Sequence, residues 1–274
     1  MAEARGLTAR FDKKVGRALV MRFEEIREFV GDIPFMQPER GKIIYEHIRK
    51  YKPLQVLELG IGHGVSGCYI GAALHENGAG HLTCVDLIDA TFTPSAEDLF
   101  RRANLAGYIT THREKSSYTW YLKKRIEQRT PAGGICEPEF DLCYIDGPKN
   151  WTIDGAAFFM VDKLMKEGGW LIFDDYDWVY DNCSANSQSD GISIAELAED
   201  ERKQPHVEAI FRLLVAQHPN YGDLRVDGNT WAWARKLRSD VKTIRLTYAP
   251  DLGYTVSTRL RSLYRRVLVR ANGR

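Results

Sequence analysis

Two acidic motifs in this chain have the residue types of a divalent-metal site. Asp146 opens the first, in the order Asp-Gly-Pro-Lys, and Asp174 and Asp175 form the second. Hard cations such as Mg²⁺ bind several carboxylate oxygens at one point. Residues this far apart supply such a point when they follow neighbouring strands of a sheet. The sequence therefore predicts Asp146, Asp174 and Asp175 as metal ligands.

A glycine-rich segment, residues 58–64, follows an apolar run and leads into a helical stretch. Its glycines allow a tight turn and let a ligand lie against main-chain N–H groups at a helix N-terminus. The third glycine comes one residue too early for a dinucleotide fingerprint, and Glu58 would repel a pyrophosphate but suits a cationic ligand. Asp86 ends the next apolar run, where a carboxylate accepts both hydroxyls of a ribose. Together these residues predict an adenosine ligand with a positive group.

Each motif also has a plain structural reading. The glycines alone fit an ordinary strand-to-helix turn, Asp174 or Asp175 fits a helix cap, and Lys149 fits a solvated surface charge. The combination of the glycines with Glu58 and Asp86 favours the functional reading. His63, inside the loop, is interpreted as a hydrogen-bonded structural residue.

Short apolar runs rich in branched residues alternate with longer amphipathic stretches along the chain. This pattern is typical of parallel strands buried on both faces and joined by helices. The predicted fold is α/β: a Rossmann-like, doubly wound, seven-stranded sheet with helices on both faces and a C-terminal antiparallel hairpin around Asp227-Gly228-Asn229. The predicted strands are residues 55–59, 81–86, 108–112, 140–146, 170–174, 223–226 and 230–236.

The length of 274 residues predicts one large domain with appendages. Residues 1–35 are predicted as an N-terminal helical extension, 36–236 as the catalytic domain and 237–274 as a basic C-terminal extension. A homodimer formed through these extensions is one expectation. The net charge of +1 gives no global attraction to nucleic acid. Five cysteines without C-x-x-C spacing, and the lack of long apolar runs, predict a cytoplasmic protein without membrane contact.

Through residues 58–64, Asp86 and 168–175, the chain resembles the class I S-adenosylmethionine-dependent methyltransferases over roughly residues 35–236. The resemblance implies that the glycines meet the methionine end of S-adenosylmethionine and that Asp86 binds its ribose. It places the adenine contact in the loop of residues 113–117. The full predicted cofactor set is Glu58, Gly60, Gly62, Gly64, Ser66, Asp86, Ser116 and Asp146.

The motif at Asp146 separates subfamilies. Amino and RNA-base methyltransferases of this fold often carry two prolines and an aromatic residue there, whereas this chain has Gly147, Pro148 and Lys149. It is similar instead to the metal-dependent catechol and caffeoyl-CoA O-methyltransferases and, through Asp175 and the following tyrosine, to the macrocin and sugar O-methyltransferase-like group. The resemblance implies Mg²⁺ or another divalent cation, with Asp146 and Lys149 as the catalytic residues.

The expected reaction is methylation of a hydroxyl on a small phenolic or sugar-containing metabolite. Metal coordination lowers the pKa of a bound hydroxyl, and a Lys149 whose pKa is depressed by burial and a neighbouring cation takes the proton. Two alternatives remain open. One is a protein of the same fold with other metal chemistry, like hydroxylase-named relatives, or a non-catalytic binder. The other is an RNA-directed methyltransferase, although nucleic acid is not the expected partner.

Overall fold

The computed structural model describes residues 22–132, 134–183, 188–189 and 192–239. The chain divides into two compact units, Met1–Val241 and Lys242–Arg274, and the described residues all belong to the first. The homodimer predicted through the extensions 1–35 and 237–274 stays a prediction, and residues 1–21 and 240–274 of these extensions fall outside the described residues. Within the described part, no helix has the length and apolar character needed to cross a bilayer. The domain boundaries at residues 35 and 236 stay predictions.

Seven strands form one mixed sheet, and two very short strands pair separately. The strands are β1 (Gln55–Leu59), β2 (His81–Leu87), β3 (Ile109–Glu114), β4 (Phe140–Ile145), β5 (Met165–Phe173), β6 (Gln188–Ser189), β7 (Ile192–Ser193), β8 (Tyr221–Asp227) and β9 (Trp231–Lys236). The large sheet has the order β3-β2-β1-β4-β5-β9-β8. Strands β1 to β5 are parallel, while β9 runs antiparallel to both of its neighbours. The predicted doubly wound sheet with a C-terminal hairpin is confirmed.

Helices connect the strands and cover both faces of the sheet. They are α1 (Phe23–Val30), α2 (Pro38–Tyr51), α3 (Val65–Asn77), α4 (Ala96–Arg102), α5 (Tyr118–Gln128), α6 (Trp151–Leu164), α7 (Glu199–Lys203) and α8 (His206–Ile210), with a π-helical turn continuing α8 over Phe211–Val215. Helix α1 lies inside the predicted N-terminal extension and packs on α3. The five cysteines are free thiols, as their spacing predicts.

Side-chain alternation along each buried strand divides the core into two halves. Val56 faces the cluster that includes helices α1 to α4, whereas Leu57 faces the cluster that includes α5, α6 and α8. Both side chains are fully buried. Complete burial of such a side chain stabilises the fold by about 1.5–3 kcal/mol. Because both faces of the sheet are apolar, polar groups collect at the strand ends.

The order of the strands reverses between β1 and β4. Ligands of open α/β sheets bind outside the carboxyl ends of the strands at such a reversal. Gly60 follows β1 and Asp146 follows β4 at this point. The topology therefore brings the glycine loop and the acidic motifs to one edge.

Candidate active site

One cavity of about 420 Å³ lies at this edge of the sheet. It is bounded by the loops that follow β1, β2, β4 and β5. Most of the predicted site residues line it, namely Gly60, Gly62, Ser66, Asp86, Asp146, Lys149, Asp174 and Asp175. The loop histidine, His63, also lines it and pairs through Nδ1 with the Pro94 carbonyl oxygen at 2.9 Å.

Glycine is required at Gly60 and at Gly64 for different structural reasons. Gly60 has φ of +92°, and a Cβ there would lie 2.0 Å from the Asp146 carbonyl oxygen, so only glycine lets the loop approach β4. Gly64 has φ of +85°, and a Cβ there would lie 2.8 Å from Ala96 Cβ. Gly64 therefore serves the packing of α4 against the loop, and it is not part of the cavity lining. The role of Gly62 in cofactor binding stays a prediction.

Asp86 holds the glycine loop in place. Its Oδ2 accepts hydrogen bonds from the main-chain N–H groups of Ile61 at 2.9 Å and Gly62 at 3.1 Å. Arg113 Nη1 lies 3.8 Å from the same oxygen. The carboxylate still borders the cavity, so the residue predicted to bind ribose also fixes the shape of the loop.

Glu58 lies behind the loop and is fully buried. One of its carboxylate oxygens accepts from the Ser66 hydroxyl and the other from the Cys84 thiol at 3.0 Å. Burial raises the pKa of Glu58 to about 7, against the opposing effect of these hydrogen bonds, and the charge of Asp86 adds to the rise. Glu58 is therefore linked to the cavity through its hydrogen bond with Ser66, which lines the cavity.

The raised pKa of Glu58 predicts a pH-dependent loss of stability. Between its ordinary pKa of 4.5 and about 7, the folded protein binds the proton and the unfolded chain does not, so stability falls as pH rises through this window. In Glu58→Gln this contribution is absent. The free energy of unfolding of the variant, relative to wild type, should increase by up to about 3 kcal/mol from pH 5 to pH 8.

Urea denaturation at the two pH values measures this difference, and Glu137→Gln, at an exposed glutamate, is the matched control. If the free energy of unfolding changes equally with pH in wild type and in Glu58→Gln, the raised pKa of Glu58 is contradicted.

The three predicted metal ligands converge. The parallel pairing of Ile145 with Phe173 sets the ends of β4 and β5 side by side. As a result, carboxylate oxygens of Asp146, Asp174 and Asp175 all lie within 4.8 Å of one another. Asp175 adopts φ of +54°, a conformation unusual for a residue with a side chain.

The chemistry of this carboxylate group fits a divalent cation. Burial first, and then the negative charges of the neighbouring carboxylates, raise the pKa of Asp146 well above its ordinary value. Burial and Asp174 likewise raise the pKa of Asp175. The oxygens of these three carboxylates are the ligands that Mg²⁺ prefers. The metal itself stays a prediction.

Two cationic side chains contact the carboxylates. Lys149 Nζ lies 2.5 Å from Asp146 and 3.5 Å from Asp175, and Arg40 Nη1 lies 3.4 Å from Asp174. Burial lowers the pKa of Lys149, but the three carboxylates outweigh it and hold that pKa above its usual range. The depressed pKa that is expected for Lys149 beside a bound cation stays a prediction.

The loop that carries Lys149 is fixed on both sides. Lys149 has φ of +58°. The Tyr180 hydroxyl donates to the Pro148 carbonyl oxygen at 2.9 Å. Asn150 Oδ1 accepts from the main-chain N–H of Thr152 at 2.9 Å and caps α6. These bonds hold the ammonium group over the carboxylates.

Two side chains at the site escaped prediction. Arg40 comes from the first turn of α2, and Trp231 Nε1 donates to Asp174 Oδ1 at 2.5 Å. Only the pairing register of β5 and β9 could have indicated Trp231 from the sequence.

Ser116, the predicted adenine contact, is exposed and lies outside the cavity lining. Its role stays a prediction.

Residues 57–176 match a family described as "Methyltransferase domain". This stretch is similar to that family. It contains all of the predicted cofactor, metal and catalytic residues. No curated protein matches the chain significantly in sequence.

Solved methyltransferase structures share the fold of the domain. An O-methyltransferase from Bacillus cereus, in complex with SAH (S-adenosylhomocysteine), is 18% identical, with a TM-score of 0.53 over 86% of this chain and 97% of that one. An SAH-bound methyltransferase from Podospora anserina is also 18% identical, with a TM-score of 0.52 over 86% of this chain and 95% of that one. The predicted fold is confirmed, and these matches support the prediction of a class I S-adenosylmethionine-dependent methyltransferase.

Proposed function

We propose that the chain transfers the methyl group of S-adenosylmethionine to a hydroxyl of a small molecule, with the help of a divalent cation. The observation that carries this proposal is the group formed by Asp146, Asp174 and Asp175 in the same cavity as the glycine loop. The SAH-bound structures of the same fold support the cofactor. The acceptor class, phenolic or sugar-containing, comes from the sequence resemblance.

The cofactor would lie along the loop between Gly60 and Ser66. Main-chain N–H groups at the start of α3 and the carboxylate of Asp86 border this part of the cavity. A helix N-terminus of this length favours negative groups such as the cofactor's carboxylate. Asp86 suits ribose hydroxyls, because among the described residues its Oδ1 accepts a hydrogen bond only from the neighbouring Leu87 N–H, at 2.7 Å.

Asp146, Asp174 and Asp175 would hold the cation at the other end of the cavity. When bound, the cation supplies Lewis-acid activation of the acceptor hydroxyl, and its charge offsets the carboxylates that raise the pKa of Lys149. Under that condition Lys149 Nζ accepts the proton of the hydroxyl. Its fixed loop places it beside the same carboxylates.

The acceptor would meet a partly apolar wall. Met36, Pro148, Trp178 and Ile194 line the cavity together with Lys149. Such a wall shields the reacting oxygen from water and accommodates the flat face of a ring. A phenol fits this lining best, and a sugar hydroxyl is the second choice.

Transfer of radiolabelled methyl from S-adenosylmethionine to panels of catechols, simple phenols, glycosides and RNA tests the proposal. We expect transfer to at least one hydroxylated small molecule, inhibition by EDTA and recovery with Mg²⁺. Transfer only to RNA would contradict the proposed acceptor class. If EDTA does not affect the transfer, the proposed cation is wrong and the proposed methyl transfer stands.

Asp86→Ala should weaken the binding of SAH about 10- to 100-fold, because the loop loses a charged acceptor and the ribose loses its partner. Calorimetric titration measures the change. Asp89→Ala is the matched control, since Asp89 is an exposed acid just beyond β2. Equal affinity in wild type and Asp86→Ala would place the ribose contact elsewhere.

A further inference from the structure

We propose that Trp231 is a positioning residue for the metal site: its indole N–H fixes the Asp174 carboxylate in the orientation that holds a divalent cation with Asp146 and Asp175. The inference rests on the proposed function, because it requires the cation to bind there. It assigns a role in the site to the C-terminal hairpin, which lies outside the matched range of residues 57–176.

Strand register places the two residues opposite each other. Phe173 pairs with Ala232 in the antiparallel ladder of β5 and β9, so the next residues along each strand are Asp174 and Trp231. Trp231 Nε1 donates to Asp174 Oδ1 at 2.5 Å. Asp174 is 4% exposed and Trp231 is 1% exposed. A hydrogen bond to a buried carboxylate is about twice as strong as one between neutral groups.

The indole ring has little freedom to move. Its centroid lies 5.6 Å from the ring of Tyr144 and 5.7 Å from that of Trp233. The main-chain N–H of Tyr176 donates to the Thr230 carbonyl oxygen at 2.8 Å, which ties the segment after Asp174 to the start of β9. Packing and backbone bonds therefore fix the N–H direction.

Arg40 approaches the same carboxylate oxygen but holds it less firmly. Its Nη1 lies 3.4 Å from Asp174 Oδ1, and its side chain is one-third exposed. Water screens an ion pair of this kind. Trp231 and Arg40 both contact Oδ1, and the Tyr144 hydroxyl is a further neighbour of the same carboxylate. Donors behind a metal ligand typically change metal affinity by about 10- to 100-fold when removed.

The test replaces one indole at a time with a ring that cannot donate. Trp231→Phe removes the bond to Asp174. Trp233→Phe is the matched control, because it keeps an aromatic ring against Trp231 and because the Trp233 N–H finds no acceptor among the described residues. We expect Trp231→Phe to weaken the binding of Mg²⁺, measured by calorimetry on the full chain, about 10- to 100-fold. Trp233→Phe should leave it unchanged, and both variants should bind SAH like wild type.

The outcomes separate the inference from the proposed function. If wild type binds Mg²⁺ and both variants bind it equally well, or both lose it equally, the positioning role is wrong and the metal site stands. If wild type transfers methyl groups but binds no Mg²⁺, the cation and the positioning role are both wrong.

Should Trp231→Phe fail to fold, the indole N–H resonances of wild type give a second test. Added Mg²⁺ should shift the Trp231 resonance more than that of Trp233. Equal shifts would overturn the inference.

Discussion

Asp174→Ala is expected to lower the rate of methyl transfer about 100- to 1,000-fold, the size of effect seen when one fixed electrostatic partner of a reacting group is lost. The variant should also lose its response to Mg²⁺, because only two carboxylates remain. SAH should still bind, since the glycine loop and Asp86 are untouched. The measurement is a rate assay with and without Mg²⁺, using the acceptor found by the radiolabel screen.

Asp177→Ala is the control for Asp174→Ala. Asp177 is an exposed acid in the same segment, so its loss should leave the rate and the Mg²⁺ response near wild type. A variant lacking Asp174 that retains full, Mg²⁺-dependent activity would contradict the metal-site assignment. Calorimetric titration with Mg²⁺ gives an independent readout that needs no acceptor.

Substitution of Lys149 should give the second large effect. A positioned general base contributes about 100- to 10,000-fold to a rate. The rate of methyl transfer should fall by at least about 100-fold in both Lys149→Met and Lys149→Arg. Methionine has no basic group, and the guanidinium group of arginine keeps its proton throughout the accessible pH range. Rates measured at saturating Mg²⁺ test this prediction.

Lys149→Arg also separates the two possible roles of the ammonium group. An arginine that keeps most of the wild-type rate would mean that residue 149 acts only as a positive charge beside Asp146 and Asp175. Lys123→Met is the control, because Lys123 is exposed on α5 and lies outside the cavity lining. Its rate should stay near that of wild type.

The sheet could be predicted because its strands are short apolar runs bounded by glycines and acids. The prediction of residues 55–59 for β1 agrees with the structure at both ends, and β2 and β4 differ by one residue at their carboxyl ends. Parallel strands bury both faces, so their sequences are apolar throughout. The acids stand out at the ends for the same reason, which is how Asp146 and Asp174 could be found.

The partners of these acids could not be predicted, because they depend on packing between distant segments. Arg40 reaches Asp174 across 134 positions of sequence, and Trp231 depends on the register of an antiparallel pair. The raised pKa of Lys149 could not be predicted either, since its direction depends on how many carboxylates surround the ammonium group. The close approach of Gly64 to Ala96 on α4 also depends on packing between distant segments, and its cofactor role stays a prediction.

Calorimetric titration of the full chain with SAH, before and after EDTA treatment and again with Mg²⁺ restored, tests the central claim most directly. The account predicts that SAH binds in every condition, and that Mg²⁺ gives a separate binding signal which Asp174→Ala removes. Absence of SAH binding in all conditions would contradict the assignment of the glycine loop and Asp86 to the cofactor.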